Sequence, residues 1–148
     1  MAIIKNEIVI DAPVESIWNV LTDLELLDKY DPTVKKSELI STEKIGVGAK
    51  RKVHMLDGKN WFDEKVTVFI PNQALTYELT ACSFPIKGLK HSYAFVKVGN
   101  QTKVMQQMEY TVKFGLFGML LDSLMIRKQS DSGIKNFFAG LKTYVETK

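Results

Sequence analysis

Apolar and polar residues alternate along IIKNEIVI and the alternation stops at Pro13, which predicts a strand of about eight residues at the start of the chain. Asp11 is the expected N-cap of the helix that follows, with Pro13 in its first turn. Over VESIWNVLTD the residues Val14, Ile17, Trp18 and Leu21 fall on one helical face. A second short helix, LELLDKY, has to end before Asp31, because a residue preceding proline is pushed out of helical geometry. From Lys35 to Lys113 the pattern is strands and tight turns: KKSELISTEK, VGAKRKVHML, WFDEKVTVFI, ALTYELTA, KHSYAFVKV and TKVMQQMEYTVKF, with DG, PN and GN as hairpin signals. After Gly115 a long helix runs to the C-terminus. One strand, two short helices, six further antiparallel strands and a terminal helix predict an α+β fold in which a sheet curls around a single helix.

Alternation also assigns the inner face of that sheet. On the third strand it is Val47, Ala49, Arg51, Val53 and Met55; on the fourth, Phe62, Glu64, Val66, Val68 and Ile70. A two-residue Asp57-Gly58 turn sets Arg51 opposite Glu64 and Val53 opposite Phe62. A PN turn sets Val68 against Leu75 and Val66 against Tyr77. A GN turn sets Phe95 against Val104, Tyr93 against Gln106 and His91 against Met108, with Tyr110 and Val112 continuing that face. The resulting surface mixes aliphatic residues with Arg51, Glu64, Tyr77, His91, Tyr93, Gln106 and Tyr110. In a solid core such groups need partners, each unsatisfied one costing about 1–3 kcal/mol. Water or a ligand would supply them; a mutually neutralising Arg51–Glu64 pair, with the tyrosine hydroxyls reaching the rim, is the plainer alternative.

The terminal helix carries the stripe Leu116, Leu120, Leu124, Arg127, Asp131, Ile134, Phe138, Leu141 and Val145, apolar except for two charges one turn apart that could pair. Its opposite side, from Lys128 and Gln129 to Thr143 and Glu146, is a solvated face. Before Arg127, residues Phe117, Met119, Leu121, Met125 and Ile126 make the helix apolar nearly all round. Candidates to cover that half are a second subunit, the loop around CSFPIKGL, a membrane surface or the mouth of a pocket. The apolar run FGLFGMLLDSLMI carries Asp122 and falls short of the about 20 residues a spanning helix needs.

Composition narrows the function. The chain has 148 residues, 45% hydrophobic and 25% charged, which fits one domain over 1–148. The net charge of +3 comes from scattered lysines with no basic stripe, which argues against nucleic acid. Lys5, Glu7 and Asp11 exclude a signal peptide from the opening segment and point to a cytoplasmic protein. Cys82 is the single cysteine, so no internal disulfide forms, and with only His54 and His91 no metal site is expected. No cofactor is implied.

The stretches IVIDAPVESIWNVLTDLELLDKYDP, GVGAKRKVH, DEKVTVFIPNQALTYEL and TKVMQQMEYTVKFGLFGMLLDSLMIRKQSDSGIKNFFAGLKTYVE resemble the SRPBCC superfamily, in its polyketide cyclase/dehydrase and START-like branch. That resemblance implies the helix-grip fold: a curved seven-stranded antiparallel sheet around a long C-terminal helix, with a mostly apolar cavity between them. Positions matching the family's cavity wall are Arg51, Glu64, Tyr77, Tyr93, Met108, Tyr110, Leu120, Leu124 and Arg127. No catalytic motif is matched. Binding of a lipid, polyketide or aromatic small molecule needs the fewest assumptions. The alternatives are a cyclase- or aromatase-like enzyme, with Glu64 or a tyrosine moving protons and Arg51 stabilising an enolate, and an interaction module, such as a homodimer through the apolar first half of the C-terminal helix. His54 and His91 are further acid–base candidates.

Overall fold

The computed structural model describes residues 2–112 and 127–147. Strand β1 (Ala2–Ile10) leads into helix α1 (Val14–Leu21) and a short 3-10 turn (Leu27–Lys29). Strands β2 (Val34–Leu39), β3 (Lys50–Met55), β4 (Trp61–Ile70), β5 (Ala74–Cys82), β6 (Ile86–Val98) and β7 (Gln101–Val112) follow, and helix α2 (Arg127–Glu146) closes the chain. All seven strands form one antiparallel sheet in the order β1-β7-β6-β5-β4-β3-β2. Among the described residues no helix is long and apolar enough to cross a membrane.

Two local expectations change. Asp11 caps nothing: its backbone N–H donates to Glu146 Oε2 at 2.8 Å, and Pro13, in extended geometry, precedes the first helical residue. The second helix shrinks to a single 3-10 turn. Its backbone bonds span three residues, from Lys29 N–H to Leu26 and from Tyr30 N–H to Leu27, and Asp31 before Pro32 forbids continuation.

The hairpins fix the inner face. Arg51 pairs with Glu64 and Val53 with Phe62, as the alternation predicts, and so do Tyr93 with Gln106 and His91 with Met108. The PN hairpin differs. Pro71, Asn72 and Gln73 make a three-residue loop, with Asn72 at φ 62°, so Phe69 rather than Val68 faces Leu75. An irregularity between Val66 and Val68 then restores the expected Val66–Tyr77 pair. The phase error is absorbed within one bulge: Val68 and Ile70 are exposed, while Phe69 packs edge-on against Trp18 at 5.0 Å. Val47 is also exposed, because β3 starts only at Lys50, after a loop with Gly46 and Gly48 at φ 86° and 95°.

Helix α2 lies on the inner face, burying Ile134, Phe137, Phe138, Leu141 and Val145. Its C-terminal half is tied to the end of β1: Lys142 Nζ donates to the Val9 carbonyl at 3.1 Å, and Glu146 holds both Lys142 and the Asp11 N–H. Gly140 is required by close approach, since a Cβ there would sit 1.8 Å from the Tyr30 carbonyl oxygen. Phe117, Met119, Leu121, Met125 and Ile126, and with them the apolar half of the stripe and the dimer surface placed on it, lie outside the described residues.

Candidate functional site

Between the inner face of the sheet and α2 lies a hollow of about 570 Å³. Strands β3 to β7 contribute Arg51, Glu64, Tyr77, His91, Tyr93, Gln106 and Met108 to its wall; α2 adds Ile134 and Phe137. The β5–β6 connection adds Ser83, Phe84 and Pro85, and the start of β6 adds Ile86. Exposed Ser83, Pro85 and Gln129 mark the end that reaches the surface. A second depression, of about 770 Å³, crosses β1, β7 and β6, but most of its side chains, such as Lys5, Glu7, Ser92 and Gln107, occupy outward positions and none of those is a buried charge.

The Arg51–Glu64 pair is almost fully enclosed, its side chains 6% and 4% exposed. Nε and Nη2 of Arg51 both reach Glu64 Oε1 at 2.7 Å. The guanidinium carbon lies 4.3 Å from the Tyr77 ring centre, a cation–π contact in a desolvated setting. Tyr77 in turn donates its hydroxyl to the Leu21 carbonyl at 2.7 Å, tying the site to the end of α1. Burial works against the Arg51 charge, but Tyr77, Glu64 and Tyr30 outweigh it and hold the guanidinium protonated. Arg51 Nη1 has no hydrogen-bond partner among the described residues.

A second polar group sits on β6 and β7. Gln106 Nε2 lies 3.0 Å from His91 Nδ1 and 3.5 Å from the Tyr93 hydroxyl, while Gln106 Oε1, buried, has no partner among the described residues. In this orientation the amide N–H donates to Nδ1, so the imidazole carries its proton on Nε2. Burial lowers the His91 pKa, against the attraction of Glu64, and keeps the ring neutral near neutral pH. Burial raises the Tyr77 phenol to about 12 and pushes Tyr93 and Tyr30 up as well, so all three stay protonated. Asp31, 8% exposed and on the wall, is raised by burial although its Oδ1 accepts from the Thr33 N–H and hydroxyl at 2.9 and 2.7 Å.

Of the residues singled out in the sequence, Arg51, Glu64, Tyr77, Tyr93 and Met108 share this wall. Tyr110 does not line it: the ring is 1% exposed, packed in the core with Ala2 and Leu89 as its register partners. Arg127 is exposed and donates from Nη1 to the Ile3 carbonyl at 3.2 Å, a group on edge strand β1 that, among the described residues, has no neighbouring strand on that side. Asp131 pairs with Lys135 and accepts from Asn6 instead of meeting Arg127. Leu120 and Leu124 lie outside the described residues. His54 reaches Glu38 at 2.9 Å and is not among the lining residues. Sequence reasoning missed Phe137 and Asp31 as wall residues. Phe137 was recoverable, since it stands three residues after Ile134 and four before Leu141.

No curated protein sequence matches the chain. Solved structures share the fold at low identity: TTHA0849 from Thermus thermophilus has 21% identity and TM-score 0.83 over 99% of this chain and 98% of its own. A START superfamily protein from Mycobacterium smegmatis has 15% identity and TM-score 0.80, covering 98% of this chain and 97% of that one. The Zhui aromatase/cyclase from Streptomyces sp. R1128 has 11% identity and TM-score 0.78, covering 98% and 93%. The family profile described as polyketide cyclase / dehydrase and lipid transport matches residues 1–146. With that match over nearly its whole length and the helix-grip arrangement of sheet and terminal helix, the chain belongs to the polyketide cyclase / dehydrase and lipid transport family, within the SRPBCC superfamily.

Proposed function

We propose that this protein binds an apolar small molecule, of lipid, polyketide or aromatic type, in the hollow between the sheet and α2. The observation that supports it most is the wall itself: a hollow of about 570 Å³, within the range of small-molecule sites, lined by aliphatic and aromatic side chains around a few convergent polar groups. The Arg51–Glu64 pair orients the polar end of the ligand, and the aromatic rings of Phe62, Tyr93 and Phe137 take its body. Native mass spectrometry of the protein as purified tests this. A one-to-one adduct that survives gentle ionisation and is lost on unfolding is expected. A bare polypeptide mass, together with no thermal stabilisation by any apolar probe, overturns the reading.

A cyclase-like second reading is supported by His91, whose neutral imidazole lines the same hollow. Glu64 Oε1 is occupied by both Arg51 contacts, and the raised tyrosines are acids too weak to ionise. In that reading His91 Nδ1 leaves the Gln106 amide to accept the proton, and the Arg51 guanidinium charge steadies developing oxyanion charge.

A further inference from the structure

Helix α2 has two glycines in its interior, Gly133 and Gly140, and they answer different demands. Gly140 is fixed by packing, since a Cβ there would lie 1.8 Å from the Tyr30 carbonyl oxygen. Gly133 has neither of the usual reasons for glycine. Its backbone is helical without a positive φ, so alanine fits the conformation and holds a helix better. Among the described residues nothing lies within 4 Å of a Cβ built at this position.

Gly133 borders the hollow instead. With about 100° between successive residues of a helix, its direction lies midway between those of Gln129 and Phe137, one turn to either side, and both of these line the hollow too. A side chain at 133 therefore projects into the hollow, and the glycine leaves a notch in the helical wall that half-buried Ser130, also small, continues. The rim of the notch is aromatic. The Phe137 ring is tilted by 47° against that of Tyr93, which lines the hollow as well, with centres 6.0 Å apart.

We propose that the ligand carries a rigid ring system that lies over Gly133 beside Phe137, and that Gly133, by lacking a side chain, is the residue that admits it. This rests on the binding reading above and deepens it, from any apolar molecule to a ring-bearing one. Aromatic rims favour a flat partner through offset and edge contacts. A fused ring is rigid and needs the full width of the notch. An unbranched acyl chain rotates about its single bonds among staggered conformers and passes around an added side chain. Bulk at position 133 thus separates the two ligand classes by shape, with the polar groups of the wall unchanged.

Two methyl ketones with the same number of carbons test the proposal: 2-acetylnaphthalene, a fused ring, and 2-dodecanone, a flexible chain. Equilibrium dialysis, with free ketone measured by gas chromatography, gives dissociation constants for the native protein, Gly133→Ala and Gly133→Leu. For 2-acetylnaphthalene the constant is expected to rise about two- to threefold in Gly133→Ala and about tenfold or more in Gly133→Leu. For 2-dodecanone it is expected to change by less than about twofold in either variant. If Gly133→Leu fails to fold, the same contrast is read from Gly133→Ala, whose methyl group favours the helix. Naphthalene binding that the variants leave unchanged, equal weakening of both ketones, or a native protein that binds the chain ketone alone overturns the inference while the binding reading stands. No binding of either ketone by the native protein overturns both.

Discussion

Replacing Glu64 with Leu leaves the Arg51 guanidinium in a site where its side chain is 6% exposed, without the carboxylate that receives both Nε and Nη2 at 2.7 Å. Water cannot screen the loss at that depth, so the cost is that of a stranded buried charge, about 3–5 kcal/mol. That is a large share of the about 5–15 kcal/mol that holds an ordinary domain folded, and it lowers the melting temperature by roughly 10–20 °C. Arg51→Met strands the carboxylate and costs about as much. The double variant Arg51→Met, Glu64→Leu removes both charges and fills their volume with carbon, so it lands within about 1 kcal/mol of the native protein or above it. Urea unfolding of the four proteins, followed by circular dichroism, gives the coupling energy directly. Single variants that each cost under about 1 kcal/mol, or a double that costs the sum of the two, would refute the claim that the pair is enclosed and mutually dependent.

Three further outcomes follow from the same geometry. Gly140→Ala should destabilise by about 1–3 kcal/mol in thermal unfolding, although alanine is the better helix former, because its Cβ lands on the Tyr30 carbonyl oxygen. Gly133 is the contrary case: among the described residues nothing lies within 4 Å of a Cβ built there, and the residue lines the hollow. Gly133→Ala should stabilise by up to about 1 kcal/mol, and Gly133→Phe should fold while weakening apolar-probe binding by about tenfold or more in fluorescence titration. His91 has a folded pKa below its unfolded one, so below a pH of about 6.5 the unfolded chain takes up a proton that the folded protein refuses. Stability is full above that pH and is lost as pH falls, by at most about 1.4 kcal/mol per pH unit for this group, and His91→Gln should flatten that segment of the urea-midpoint profile.

How far the sequence carried these arguments depended on phase. Arg51 opposite Glu64 and Tyr93 opposite Gln106 were readable because the DG and GN hairpins keep strict alternation, and one face decides the register. Val68 and Ile70 were misplaced because a three-residue loop and a compensating bulge shift the face over a few residues, and neither leaves a mark in the hydrophobic pattern. The stripe rule took Phe138 and passed over its neighbour Phe137, although the buried sector of a helix on a sheet is wide enough for both. Asp31 read as a helix stop before Pro32; only the fold brings that carboxyl beside the hollow. Tyr110 and Arg127 failed as wall residues because alternation and helical stripes report which way a side chain points and not what stands in front of it. That Gln106 Oε1 has no partner among the described residues belongs to side-chain geometry that no spacing rule reaches.

The central claim is that the inner hollow, and not the outer apolar surface, receives the ligand. Intermolecular nuclear Overhauser effects between 2-acetylnaphthalene and the isotope-labelled protein measure this most directly. Contacts from the ring protons to the Met108 methyl, Ile134 and Phe137 are the expected result. Contacts confined to the exposed Val68, Ile70 and Val96 would contradict the account.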